Sequence, residues 1–274
     1  MRRGHMLVFR MSSDGVNRSP RAFTIVEMLV VVGLIAVLVG LVLPGISMAR
    51  RASASSRDLS NLRSLSQAHA AYMNVFKECF ADAALPDDPA ENEGIENPLE
   101  QSFVTTLQPY ADGALDLRSP LDRSALWAPM DMTVVPADAV LRRTSYGLNN
   151  YLSRRFSPVL DETPPSGVAP SSPADRLSRV PDHSTTVCFV LMPDDGPFAT
   201  ADHPHIERLA GAAANPDQLA ALAATMMAIS ATDGRRPSPA SESNYSYVDG
   251  HTATVRFERQ YESAQRNAFD PRAR

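Results

Sequence analysis

The side chains best suited to chemistry gather in one short stretch, Asp202-His203-Pro204-His205, with Glu207 close by and His251 further along the chain. Imidazoles and carboxylates suit divalent metals, so these residues could in principle assemble a cation site that activates water. That reading would make the chain a membrane-tethered or secreted hydrolase, or a metal-binding protein, using the His203, His205 and His251 region. The spacing matches no specific metal signature, and a His-x-His in a proline-containing loop is ordinary at a surface. Asp249 is better explained by an Asp249-Gly250 turn than by general-base work. His69 falls on the apolar face of a helical stretch and reads as a packed histidine. Cys79 and Cys188 are too few for a disulfide framework or a cysteine-rich zinc site. They could pair in an oxidising compartment, and two free thiols is the simpler expectation. The sequence contains no glycine-rich phosphate loop, nucleophile elbow or His-Glu-x-x-His.

The elements that must carry these residues are unevenly built. A chain of 274 residues with 44% apolar and 21% charged residues fits one globular domain with appendages, and 22 prolines against 13 glycines predict long irregular connections. A net charge of −5 provides no basic field, so no nucleic-acid partner is expected.

The most informative segment is Phe23 to Leu43, FTIVEMLVVVGLIAVLVGLVL, whose one charge is Glu27. About 21 apolar residues suffice for a helix across a hydrocarbon core of about 30 Å. Arg2, Arg3, Arg10, Arg18 and Arg21 lie before it and Arg50, Arg51, Arg57 and Arg63 after it, so charge bias alone does not orient it. A removable secretory signal, cut after Ala52-Ser53-Ala54, is the first rival, but Arg50 and Arg51 stand where a cleavage region is normally uncharged. Glu27 needs explaining, because a carboxylate near the start of a membrane helix is costly unless paired, protonated or placed at the interface. Lys and Arg are absent from Phe23 through Ala49, so no cation lies within helical reach and a charge partner must come from elsewhere.

These residues reach a recognisable pattern. Arg21-Ala22-Phe23-Thr24-Ile25-Val26-Glu27, followed by the unbroken apolar run, resembles the processing site of type IV pilin-like prepilins, including type II secretion pseudopilins. In that family a basic leader is removed just before a phenylalanine, the new amine is methylated, and a glutamate stands fifth in the mature chain. Phe23 and Glu27 hold that relation, and Pro44 occupies the twenty-second mature position, where the family commonly has proline. Ala22 stands where the family usually has glycine, keeping the small size, and Met11 offers an alternative start with a shorter leader.

The resemblance implies a non-catalytic structural subunit without cofactors. It implies processing by prepilin peptidase, residence as a single-pass protein of the inner membrane with an extracytoplasmic C-terminal domain, and incorporation into a filament. The implied partners are other pilin or pseudopilin subunits, an inner-membrane assembly platform and lipid. A neighbouring subunit's Glu27 would neutralise the amine created at Phe23. Some related secretion subunits bind calcium, but no motif here places ligands, so metals stay unassigned. A plain anchored binding protein that keeps its leader is a third possibility.

The fold expected is α+β and pilin-like: a long N-terminal helix, transmembrane in its first half, packed on a small antiparallel sheet domain. The expected segments are a leader (1–22), an assembly helix (23–43), its extramembrane continuation (44–81), a globular domain with long loops (82–259) and a loose polar tail (260–274). Ala49 to Ala81 lacks proline and glycine, and Leu59, Leu62, Leu65 or Ser66, His69, Tyr72 or Met73, Phe76 and Phe80 form one apolar stripe that should pack on the domain. From Phe23 to Ala81 such a helix would run about 85 Å, with Pro44-Gly45 able to bend or locally melt it.

Beyond Pro86, the stretch DDPAENEGIENPLE reads as an acidic surface loop. Gln101–Tyr110 predicts a short helix or strand, and Arg142–Leu152 a strand around a Gly-Leu-Asn-Asn turn. Ser157–Pro181 should be an exposed connection, Thr185–Met192 a buried strand, and Leu209–Ser230 helical on both sides of Asn215-Pro216. Thr232–Ser243 reads as a polar linker. Tyr245–Val248 and Thr252–Phe257 should form a hairpin about Asp249-Gly250. That hairpin, with Ser145-Tyr146-Gly147-Leu148-Asn149, resembles elements of a large prepilin-like family abundant in planctomycetes. The family typically has a histidine ten residues before the aspartate; here the position is Pro239, so no role is carried over.

Overall fold

The computed structural model describes residues 23–87, 96–127, 141–160, 172–212 and 215–273. The segment expected to be a leader (1–22), and much of the expected acidic loop, of Ser157–Pro181 and of the segment before Arg142, lie outside the described residues. The chain divides into two compact units, Met1–Ser47 and Met48–Arg274. Helix α1 covers Ile25–Val75 and is assigned as helix through Pro44 and Gly45, with no break at the position where local melting was possible.

In the second unit the predicted stripe is buried. Leu62, Leu65, Ala68, Tyr72 and Met73 pack with Phe80, Phe103, Tyr146, Leu148 and Phe189 in one apolar cluster. Each such large side chain removed from water contributes about 1.5–3 kcal/mol, so this seam is a main source of the domain's stability. Leu59 is only half-buried and Phe76 is exposed, so the stripe is narrower than its sequence pattern.

The helix stops at Val75, short of the predicted Ala81. Lys77 and Glu78 take positive φ of 54° and 63°, and the Glu78 N–H donates to the Met73 carbonyl at 2.9 Å, a left-handed helix stop. No glycine announces it. The competing partner is tertiary: Cys79 bridges to Arg176, and the Phe80 N–H donates to the Asp175 carbonyl at 2.9 Å. Phe80 therefore reaches the core from extended chain instead of from the helix.

Two short helices, α2 (Pro98–Gln101) and α3 (Phe103–Thr106), lie just before and within the segment expected to be a short helix or strand. The sheet comprises β1 (Tyr146–Leu148), β2 (Val187–Leu191), β3 (Glu242–Tyr247) and β4 (Thr252–Arg256), in that order and antiparallel throughout. The long helix followed by this small sheet is the α+β arrangement expected of a pilin-like fold. β2 is internal and wholly buried, which explains its unbroken apolar sequence. Phe189 and Leu191 join the cluster under α1, while Val187 and Val190 join a second cluster. Helix α4 (Pro216–Met226) belongs to that second cluster through Leu219, Ala220, Ala223 and Met226. Asn215 caps α4 by accepting from the Asp217 N–H at 3.0 Å and the Gln218 N–H at 3.3 Å.

The β3–β4 hairpin forms as expected, but its loop is not a two-residue Asp-Gly turn. The Gly250 N–H donates to the Tyr247 carbonyl (2.9 Å) and the Tyr247 N–H to the His251 carbonyl (3.0 Å). Val248 and Asp249 are thus the turn's central residues, and Gly250, at φ 90°, takes the bulge position that favours glycine.

The segment expected to be a loose tail is structured. After α5 (Phe257–Gln260), strands β5 (Tyr261–Ser263) and β6 (Arg266–Asn267) pair, and Phe269 is completely buried in the second cluster. The Val187 N–H donates to the Ala268 carbonyl at 2.7 Å, and the Asn149 side-chain amide donates to the carbonyls of Val187 and Phe269 at 2.8 and 2.7 Å. Periodicity could not reveal this, because two isolated aromatic anchors, Tyr261 and Phe269, and hydrogen bonds hold the segment. Likewise Val180 is buried, so Ser157–Pro181 is not exposed throughout.

Candidate functional site

The N-terminal site is built on the first turn of α1. Thr24 occupies the N-cap: its carbonyl accepts the first helical hydrogen bond, from the Met28 N–H at 3.2 Å. Its hydroxyl oxygen accepts from the Glu27 N–H at 3.2 Å and donates to Glu27 Oε2 at 2.9 Å, and its backbone N–H donates to the same Oε2 at 2.8 Å. This is a reciprocal capping box, in which two helix-start N–H groups are satisfied by two side chains. Glu27 therefore has a hydrogen-bond partner in its own chain, although that partner carries no charge. The Thr-x-x-Glu spacing is the sequence signature of this box.

Phe23 lies just before the cap with its side chain 75% exposed. From Phe23 to Leu43 the described side chains are all exposed, and the apolar window of α1 is long and apolar enough to cross a membrane with none of it buried in the chain. Such a surface is stable only against lipid or other apolar helices. Ala22 lies outside the described residues, and Pro44 is helical in its backbone.

The histidine region divides. His203 is fully buried, stacks on Phe156 with ring centroids 3.7 Å apart, and places Nδ1 3.2 Å from Asp202 Oδ1. His205 places Nδ1 2.9 Å from Glu207 Oε1 and Nε2 3.3 Å from Asp87 Oδ1. Burial alone would depress His205, but hydrogen bonds to Asp87 and Glu207 raise it to about 9. Among the described residues, Asp87, His203 and His205 have potential ligand atoms within 4.8 Å of one another. His251 is not a member of this group. It stands in the hairpin, stacked on Tyr247 at 4.1 Å and bonded to Asp249 at 2.6 Å. The three-histidine set of the hydrolase reading is therefore not the set the fold groups. Asp87 was missed because it is remote in sequence and begins an acidic stretch that reads as solvated loop.

Both cysteines are free and buried. Cys188 Sγ lies 3.5 Å from His69 Nδ1, and burial pushes its thiol well above the ordinary range. His69 is the packed histidine expected, its Nε2 accepting from the Ala81 N–H at 3.0 Å.

Comparison with known proteins adds one match. The model described as "Prokaryotic N-terminal methylation motif" matches residues 17–43. No curated protein and no solved structure matches the chain. The match spans residues 17–22, the capped turn and the exposed apolar helix. The chain thus carries the prepilin-type cleavage and methylation signal.

Proposed function

We propose that the chain is a non-catalytic structural subunit of a type IV pilus-like or type II secretion pseudopilus filament. Prepilin peptidase cuts between Ala22 and Phe23, and the new amine is methylated. The single observation that carries this reading is the coincidence of the methylation motif at residues 17–43 with an apolar helix whose described side chains are all exposed. Before assembly, Phe23–Leu43 lies as a single span in the inner membrane, with the second unit outside the cytoplasm. On assembly, the helices of other pilin or pseudopilin subunits replace lipid around it, with an inner-membrane assembly platform driving the exchange.

Glu27 sets the register. Its carboxylate is turned back toward the chain start by the bonds to Thr24, the end at which cleavage creates a cationic amine. Pairing with the methylated amine of a neighbour offsets the cost of carrying a carboxylate into an apolar filament core. Pro44 ends the assembly segment. The test is fractionation of the native host: the processed chain should appear in filaments sheared from cells or purified from the envelope. Processed chain found only as a dispersed membrane monomer would contradict the filament role.

A further inference from the structure

We infer that Asp87, His203 and His205 form a binding site for a transition-metal dication of the zinc type, which fastens the segment at Asp87 to the 202–207 segment.

The first observation is the donor set. Two imidazoles and one carboxylate present ligand atoms within 4.8 Å of one another, and shifts of less than about 1 Å bring them to the 2.0–2.2 Å bond lengths of zinc. The mixture of two nitrogens with one oxygen favours zinc over magnesium or calcium, which take all-oxygen shells.

The second, independent observation is His203 Nε2. The residue is fully buried, and among the described residues this nitrogen has no hydrogen-bond partner. A buried polar atom without a partner is unfavourable, so a ligand at that position removes a penalty. The tautomer agrees. Asp202 already accepts from the Ala84 N–H (2.9 Å), the Leu85 N–H (3.0 Å) and the Ser102 hydroxyl, which fixes it as an acceptor for His203 Nδ1–H. That leaves the lone pair of Nε2 as the ligand.

His205 is oriented in the same way. Glu207 takes its Nδ1, and Glu207 is itself held by the Asn150 side-chain amide at 2.7 Å. Each imidazole is thus backed by a carboxylate, the arrangement that orients metal-binding histidines. Three carboxylates, Asp87, Asp202 and Glu207, surround the two rings, with Arg208 as the nearby cation, 3.4 Å from Asp87. A dication that displaces the proton lying between His205 Nε2 and Asp87 offsets this excess of negative charge. The role is structural, and it is independent of whether the chain enters a filament.

The experiment uses the full chain without an affinity tag, purified in detergent, stripped with chelator and titrated with zinc. The expected result is one zinc per chain and a rise in Tm of roughly 5–10 °C at zinc a hundredfold above Kd. His203→Gln and Asp87→Asn should lose the zinc and the Tm rise while keeping the zinc-free circular dichroism spectrum, and His251→Gln should behave as the parent. Asp202→Asn should weaken binding by about 10–100-fold. Absence of saturable zinc binding by the parent, or one zinc retained by His203→Gln, overturns the site. Should His203→Gln not fold, X-ray absorption of the zinc-loaded parent decides. Two imidazoles in a nitrogen and oxygen shell support the site, and a sulfur ligand or no histidine contradicts it.

Discussion

The Tyr146 hydroxyl on β1 donates a 2.9 Å hydrogen bond to the Asp58 carboxylate on α1, across 88 residues of sequence. The Asn244 side-chain amide on β3 donates to the other oxygen of Asp58 at 2.8 Å, so one buried carboxylate ties the helix to two strands of the sheet.

Asp58→Ala strands both donors and should cost on the order of 2–4 kcal/mol, read as a lower denaturant midpoint with an unchanged slope. Burial raises the Asp58 carboxyl above its ordinary range despite these hydrogen bonds. An acid whose folded pKa is raised binds its proton more tightly when folded. Its contribution to stability is therefore greatest below the unfolded pKa and declines as pH rises through the folded one. Asp58→Asn should remove that decline, which sets in above the ordinary carboxylate range near about pH 4. An unchanged profile would contradict the assignment.

His69 behaves in the opposite direction. Burial lowers it to about 3 from 6.5, so the unfolded chain takes up the proton first. Stability should fall as pH drops through 6.5 towards 3, by a few kcal/mol in all. His69→Leu should flatten this acid limb while lowering stability at neutral pH by about 1–3 kcal/mol, because the Ala81 N–H loses its acceptor. Thermal melts of both proteins across this pH range check the sign.

Arg142 and Asp122 form a buried ion pair at 2.7 Å, with the guanidinium also donating to the Ala199 carbonyl at 2.6 Å. Asp122→Ala alone should cost about 3–5 kcal/mol, since it removes the direct partner of a buried guanidinium and leaves Asp194 as the nearby carboxylate. The double variant Asp122→Leu/Arg142→Met should recover most of that loss. Equal losses in the single and double variants would mean that packing, and not the unpaired charge, sets the cost.

Glu27→Ala should leave cleavage intact and abolish filament incorporation. Glu27→Gln separates two roles, because glutamine keeps the capping bonds to Thr24 and removes the charge. Charge pairing with a neighbour's amine predicts that Gln fails as Ala does. Incorporation of the Gln variant at the parental level would assign the role to the cap.

Legibility followed the range of the interactions. The apolar run, the stripe Leu62–Leu65–His69–Tyr72, the internal strand and the hairpin could be read because each is a local pattern with a helical or strand period. Three features could not. Helix α1 stops at Val75 through a left-handed turn without glycine, fixed by pairing with Asp175 and Arg176. The C-terminal segment is ordered by two isolated aromatic residues, Tyr261 and Phe269, and by a backbone bond to Val187. Asp87 meets His205 across more than a hundred residues, and no spacing encodes that contact. The capping box at Thr24 and Glu27 is legible in the Thr-x-x-Glu spacing, but its partner is a neutral hydroxyl and backbone N–H, which a charge pattern does not reveal.

The most direct test of the central claim is the N-terminus of the mature protein, determined by mass spectrometry of native-host membranes with and without the prepilin peptidase. The account predicts an N-methylated Phe23 that disappears when the peptidase is absent. A mature chain beginning at Ser55, or an intact leader in the wild-type host, would contradict it.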